Sequence, residues 1–423
     1  MKPNSLKILL MLFVVVVLSS IVSKAEPVTE EEMEEVQSRL DGADERMSLL
    51  EGDVSSLKKF KAGGYIQLRL DLDQTSISSF EGIPLTKTNN KNQLAYFRRA
   101  RMKLEYDNKS SRYRLYLNSG RTTPVEVLEA YAEWLFVVPV TNFPIDLNLR
   151  VGQQNWPFGY EIEYSSSKRD FPERSRIEKE FFDGERDRGV NLNVALPEYV
   201  QFNLGLWQGT GIKGDGVKPF EWMDPTKQKD IIARVKFNYS TFYLGFSGYF
   251  GEFVDPGAPA NSGQLVWSDA NTNNTIDSGE VVITGASAAK PSIHHDRMRK
   301  GVDAQWFLDL LPIGGTALRG EYMFGHDKGK IKDGWYVWLS QALGTKFGLA
   351  GRYQRFDPNR QNDPSVSGDD ELTVLSLVGH YYWDSATRIT FSYDANYEPG
   401  ETAGGAKREL DNNLFTIQWQ FSF

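Results

Sequence analysis

The segment FRRARMKLEY, residues 97–106, alternates basic and apolar side chains. In an extended chain Arg99, Arg101, Lys103 and Glu105 share one face, and Ala100, Met102, Leu104 and Tyr106 share the other. Arg69, Arg112, Arg114 and Arg150 fall with the same parity in their own segments, so four of the first five extended segments point guanidinium groups one way. A guanidinium is planar, permanently charged and rich in donors suited to oxyanions. On the wall of a narrow pore, such a ladder favours anions because it replaces part of the hydration that the ion gives up. The same face also carries Asp71, Glu105, Glu129, Glu133 and Asp146, so wall salt bridges are an equally open use of the same arginines.

A second constellation is DANTNNTIDSGE, where Asp269, Asn271, Asn273, Thr275, Asp277 and Glu280 occupy positions 1, 3, 5, 7, 9 and 12 of an EF-hand-like loop. That spacing wraps oxygen ligands around a hard cation, with Thr275 offering its carbonyl and Glu280 both carboxylate oxygens. Asn274 stands at the usual glycine position, and Asn accepts left-handed backbone. Bound Ca2+ is the expectation, a plain polar loop the alternative, and no other cofactor is required. Catalysis is not expected. The four histidines, His294, His295, His326 and His380, fall mostly in loops by this reading, with no serine nucleophile motif beside them.

These residues need elements to position them. Residues 1–25 have Lys2 and Lys7, an apolar centre from Ile8 to Val17, and small residues ending at Ala25. This is the pattern of a cleaved secretory signal, and its apolar centre is shorter than the ~20 residues of a membrane-spanning helix. In residues 26–62, Met33, Val36, Leu40, Ala43, Met47, Leu50, Val54 and Leu57 step by three and four, which is a heptad seam. Thr29 and Glu32 form a capping-box pattern at its start. A short periplasmic coiled coil is expected, with a single amphipathic helix as the alternative.

From residue 63 to 423 the period becomes two. Strands are expected near 64–73, 94–106, 111–119, 126–137, 145–154, 187–196, 200–208, 229–238, 241–251, 297–308, 315–325, 333–342, 346–356, 371–382, 386–397 and 413–423. Short connections such as DNKS, PEY, YS and WDS alternate with long polar ones, the rhythm of a membrane barrel. The last segment, LFTIQWQFSF, has Phe415, Ile417, Trp419, Phe421 and Phe423 on one face and only polar residues on the other. In water that strand would be an aggregation template; closing a barrel against the first strand, it faces lipid. A soluble sandwich would leave too many apolar faces without a second sheet. The fold class is therefore all-β, a sixteen-stranded antiparallel transmembrane β-barrel preceded by a short coiled-coil helix.

Composition agrees. The chain has 423 residues, no cysteine, 13% aromatic residues and a formal net charge of −8. Thiolate metal sites and disulfides are excluded, and general nucleic-acid binding is disfavoured. The connection NWPFGYEIEYSSSKRDFPERSRIEKEFFDGERDRG is long and mixed in charge. If it folds inward, Lys168, Arg169, Arg174 and Arg176 complete a basic throat; alternatively they pair with its own Asp170, Glu173, Glu178 and Glu180.

FRRARMKLEY, EAYAEW, RVGQQNWPFGYE, FPERS and FFDGERDRGVNL, in that order, resemble the signatures of the phosphate-selective porin O and P family. The resemblance implies a trimeric sixteen-stranded barrel in a Gram-negative-type outer membrane. Its third loop would fold into the pore, and arginines would guide phosphate, polyphosphate or other small anions through passively. It makes Arg99, Arg101, Lys168 and Arg169 the expected anion contacts, and the terminal aromatic strand a signal for the barrel-insertion machinery. Expected partners are outer-membrane lipid, small anions and two further copies of the chain, joined through barrel and coiled coil. The alternative is a general, weakly selective diffusion porin, or a structural barrel linked to the periplasm by the coiled coil.

Overall fold

Strands with one apolar and one polar face can span lipid only if the sheet closes, because every open edge would strand backbone donors and acceptors in hydrocarbon. The computed structural model has this closed form. It describes residues 57–73, 95–120, 125–140, 143–196, 199–212, 228–255, 260–268, 272, 275, 281–285, 287–327, 330–361, 371–397, 399–401, 407–409 and 412–423. The chain divides into two compact units, Met1–Phe60 and Lys61–Phe423. The signal segment 1–25 and the coiled coil 26–62 lie outside the described residues, except for residues 57–62, of which Leu57 is exposed.

The first strands in chain order are β1 (Phe60–Asp73), β2 (Tyr96–Asp107), β3 (Ser111–Ser119), β4 (Glu126–Val140), β5 (Phe143–Asn155), β6 (Arg186–Leu196), β7 (Val200–Trp207), β8 (Asp230–Tyr239) and β9 (Phe242–Asp255). A small hairpin, β10 (Gln264–Trp267) and β11 (Val281–Thr284), precedes β12 (Ile293–Leu311), β13 (Gly314–Asp327), β14 (Lys330–Leu343), β15 (Phe347–Asp357), β16 (Leu372–Tyr382) and β17 (Thr387–Tyr397). A second hairpin, β18 (Pro399–Glu401) and β19 (Lys407–Glu409), leads to β20 (Leu414–Ser422). Without the two hairpins, sixteen strands close the barrel in sequence order. β20 pairs antiparallel with β1 from Tyr65↔Ser422 to Asp73↔Leu414. Thr416, Gln418 and Gln420 are buried inside, while Phe421 and Phe423 are exposed on the outer face, so the terminal segment closes the barrel with its aromatic parity outward.

One expectation needs correction. β12 and β13 run further than the alternation suggested, so His294, His295 and His326 are strand residues rather than loop residues, as is His380 within the expected segment 371–382. β12 keeps pairing with β9 as far as Ile293↔Asp255. Near a barrel rim both faces meet water, so hydrophobic alternation no longer marks the strand. Of the EF-hand-like ligand positions only Thr275 is among the described residues; Asp269, Asn271, Asn273, Asp277 and Glu280 lie outside them. The segment joins β10 to β11, so strands flank it.

The connection from β5 to β6, residues 156–185, turns into the barrel. Trp156, Phe158, Ile162, Phe171, Ile177, Phe181 and Phe182 form one buried cluster with Trp207, Ile232, Tyr249, Met323, Tyr336, Trp338, Ala350, Phe356 and Val378 of the wall. Each such side chain contributes on the order of 2 kcal/mol by leaving water. The hydrophobic core thus sits inside the barrel, between this loop and the inner faces of strands from β7 to β16. In the loop's PFG turn, Gly159 adopts φ 57° and its N–H donates to Ser247 Oγ at 3.1 Å. A side chain at this position would collide with the carboxylate of Glu321 on β13. The loop carries one short helix, α1 (Arg176–Phe181).

Candidate functional site

The loop and the first strands enclose the basic sector. β1 and β2 bring Arg69, Arg98 and Arg99 to one loop carboxylate, Glu173, at 2.6, 3.0 and 3.1 Å, and Lys179 of α1 approaches it at 3.8 Å. Four cations therefore converge on this carboxylate among the described residues. Burial alone would raise the Glu173 carboxyl, but Arg98, Arg99, Arg69 and Lys179 outweigh it and hold the group well below the ordinary carboxylate range. Arg69 also donates to Pro172 O at 3.2 Å and Gln418 Oε1 at 3.0 Å, and Arg99 to Gln67 Oε1 at 3.1 Å. Arg101 meets neutral groups: it donates to Asn118 Oδ1 at 2.9 Å and to Ser166 Oγ at 2.6 Å, and lies over the rings of Tyr65 and Tyr116.

The other expected path cations on β2, β3 and β5 each meet a carboxylate. Lys103 pairs with Glu105 at 2.8 Å, and Arg112 with Asp107 at 2.6 Å and Glu133 at 3.2 Å. Arg114 pairs with Glu105 at 2.6 Å and Glu129 at 3.1 Å, and Arg150 with Glu133 at 2.8 Å. A register shift at Tyr116/Leu117 admits one extra residue, Leu128, into β4 opposite β3. Beyond it, Glu129 and Glu133 stand opposite Tyr116 and Arg112 in the ladder.

On the loop, Arg174 does not take the expected partners. Its Nε and Nη2 donate to Glu185, both at 2.6 Å, and Nη2 also reaches Ile162 O at 3.2 Å. Glu185 has a positive φ of 63°, a costly conformation for a non-glycine residue that this grip helps to hold. Burial opposes its charge, but Arg174, Arg186 and Arg169 hold its carboxyl far below the usual range. Arg176 pairs with Glu180 at 3.0 Å, and Asp170 with Arg319 of β13 at 3.3 Å. Lys168 is exposed. Arg169 is 3% exposed, and its Nε and Nη1 have no hydrogen-bond partner among the described residues. Burial, with Arg174 and Arg99 nearby, pushes its guanidinium down to about 9, which leaves it charged at neutral pH.

The structure also brings in residues that the parity argument passed over. Arg98 joins Arg99 at Glu173 although the two are sequence neighbours, close to the start of β2. Arg352 of β15 donates to Glu161 Oε1 at 3.2 Å and to Glu173 O at 3.3 Å, and Arg234 of β8 pairs with Asp303 at 2.8 Å and Glu163 at 3.0 Å. Both lie in strands whose parity was readable. His294 contacts Glu252, and His380 Nδ1 lies 3.1 Å from Thr390 Oγ1.

Known structures share this architecture. The outer membrane channel DcaP of Acinetobacter baumannii is similar with a TM-score of 0.55 at 12% identity, over 86% of this chain and 97% of that one. OprB of Pseudomonas putida is similar with a TM-score of 0.55 at 12% identity, over 90% and 97%. An anion-selective porin from Comamonas acidovorans gives 0.51 at 8% identity, over 86% and 99%. At such identities the likeness is one of fold. A search of curated proteins finds no match. The sequence itself goes further: residues 71–218, which carry β2 to β7 and the inward loop, match the model of the phosphate-selective porin O and P family, the family that its motifs resemble.

Proposed function

We propose that the protein is a passive outer-membrane channel for small anions, phosphate and polyphosphate among them, selected at the level of the inward loop. The observation that carries this reading is the uneven compensation of charge. Among the described residues, Arg69, Arg98, Arg99 and Lys179 converge on the carboxylate of Glu173, Arg101 donates to neutral partners, and Arg169 Nε and Nη1 have no hydrogen-bond partner. A desolvated oxyanion entering this sector would meet donors that protein carboxylates do not saturate. Of the expected anion path, Arg69, Arg99, Arg101, Lys168 and Arg169 thus carry the guidance, while Lys103, Arg112, Arg114 and Arg150 stiffen the wall.

The test is single-channel recording in a potassium chloride gradient, followed by titration with phosphate. A reversal potential on the anion side and a block by phosphate at submolar concentration support the reading; a cation-side potential with no block refutes it. The matched pairs at Glu105, Glu129 and Glu133, with the overall charge of −8, favour a second reading, a weakly selective general porin. In either reading we infer export by the leader at 1–25, trimerisation helped by the coiled coil, insertion directed by the terminal strand, and Ca2+ at 269–280.

A further inference from the structure

One group on α1 serves neither the anchoring ion pairs nor the basic sector. Glu178 is 1% exposed, and both its carboxylate oxygens lack a hydrogen-bond partner among the described residues. The residues on either side of it in α1 are locked in place. Ile177 fills the space beside Gly334 of β14 that a larger residue would need, and the Phe181 ring lies edge-on to Phe356 of β15. The donors around Glu178 serve other acceptors. Ser175 N–H and Arg352 donate to Glu161 at 2.9 and 3.2 Å, and Tyr336 Oη and Tyr160 N–H donate to Glu321 at 2.7 and 3.3 Å. Arg174 holds Glu185 with both arms at 2.6 Å.

We propose that Glu178 is a proton-dependent latch of the inward loop: α1 stays docked on β14 and β15 while this carboxyl carries a proton, and loosens from the wall when it ionises. The charged and titratable groups that act on it are Glu161, Arg174 and Glu185 of the loop, Glu321 of β13 and Tyr336 of β14. Burial first, then Glu321 and Glu161, raise the Glu178 carboxyl well above the usual range, and Arg174 opposes them. For an acid whose docked value lies above its free value, docking is firmest below about pH 4.3, the ordinary glutamate value, and weakens as pH rises toward the docked value. Within that window each pH unit lowers the docked-to-undocked ratio about tenfold. The latch rests on the loop lying in the lumen and not on which ion passes.

The experiment uses the full chain in planar bilayers in potassium chloride from pH 5 to pH 9, beside hydrogen exchange of residues 176–182 corrected for intrinsic rates. The expected result is rising conductance and open-channel noise, and faster exchange in α1, as pH rises, with both responses flattened in Glu178→Gln. Unchanged exchange across the range in the wild-type chain, or a pH response that persists in Glu178→Gln, overturns the latch. Should that variant fail to assemble, exchange in the wild-type chain decides alone. Absent anion selectivity in the same recordings would count against the proposed function and leave the latch unaffected.

Discussion

Replacing Glu173 by Gln keeps the size and shape of the side chain and removes the carboxylate on which Arg69, Arg98, Arg99 and Lys179 converge. If this cage faces the ion path, the variant should be more anion-selective than its parent. For an ion passing about 8 Å away at an effective dielectric of ~20, the lost negative charge is worth about 2 kcal/mol before screening. At physiological salt, where the Debye length is about 8 Å, this falls to roughly 0.8 kcal/mol; at 0.01 M, with about 30 Å, it stays near 1.6 kcal/mol. Chloride gains this energy and potassium loses it, so the permeability ratio of chloride to potassium should rise about fifteenfold in the first condition and about two-hundredfold in the second.

The same change should weaken the loop's anchor, since removing one partner of a buried ion pair leaves uncompensated charge and typically costs about 3–5 kcal/mol. Phosphate can supply the missing charge, so thermal unfolding of the variant should rise with phosphate concentration more steeply than that of the parent. Reversal potentials in dilute and moderate salt, with a melting series in phosphate and in chloride, measure both effects. A variant with the parental reversal potential in 0.01 M salt would refute the reasoning, because the cage would then be screened from permeant ions by the protein.

A double change of Arg99 and Arg101 to Gln should shift the reversal potential toward cations and weaken phosphate block without closing the channel, most clearly in dilute salt. Arg101 should account for the larger part, since its partners are neutral. Arg169→Gln should reduce phosphate block more than chloride conductance, because a fixed positive charge attracts a multiply charged oxyanion more strongly than a monovalent one. Leu40→Asp with Leu50→Asp should weaken detergent-resistant oligomers on native gels and leave the barrel intact; an unchanged oligomer would remove the coiled coil from assembly. Crystals soaked in millimolar calcium should show an ion held by Asp269 and Glu280, with affinity in the range of extracellular sites, about 10⁻⁴ to 10⁻³ M; an empty loop would retire the site.

The barrel was legible because alternation is a local property: a strand's period of two needs no knowledge of its neighbours. All sixteen barrel strands overlap the segments read from periodicity, and β3 has the same bounds, Ser111 to Ser119. What local pattern cannot supply is register. Whether Arg114 is free or bound depends on Glu105 and Glu129 standing across two different strand pairs, β2–β3 and β3–β4, with the extra residue Leu128 in one of them. The loop was harder, since Arg174 passes over nearer carboxylates for Glu185, which only the turn at Gly184 and Glu185 brings back. One signal was available and unused. GWYVWLS in β14 is apolar on both faces, with Trp335, Val337 and Leu339 on one and Tyr336 and Trp338 on the other. A strand that is apolar toward the lumen must be covered there, and in this chain the inward loop covers it.

That covering explains how one loop can serve both as wall and as filter. Its apolar side, from Phe158 to Phe182, packs on the inner faces of β9, β14 and β15, so the backbone is held by burial as well as by the ion pairs. The polar side can then carry charges that are poorly matched, because their mutual repulsion is opposed by contacts elsewhere. A loop held only by salt bridges would need each arginine paired to stay in place, and pairing would cancel the positive field that selects an anion. The wall at Arg112, Arg114 and Arg150 has little inward apolar packing of this kind, and there the charges are matched. Arg101, with neutral partners, and Arg169, with two nitrogens unpartnered among the described residues, thus belong with a loop that hydrophobic packing holds, which is where selectivity at low structural cost is physically available.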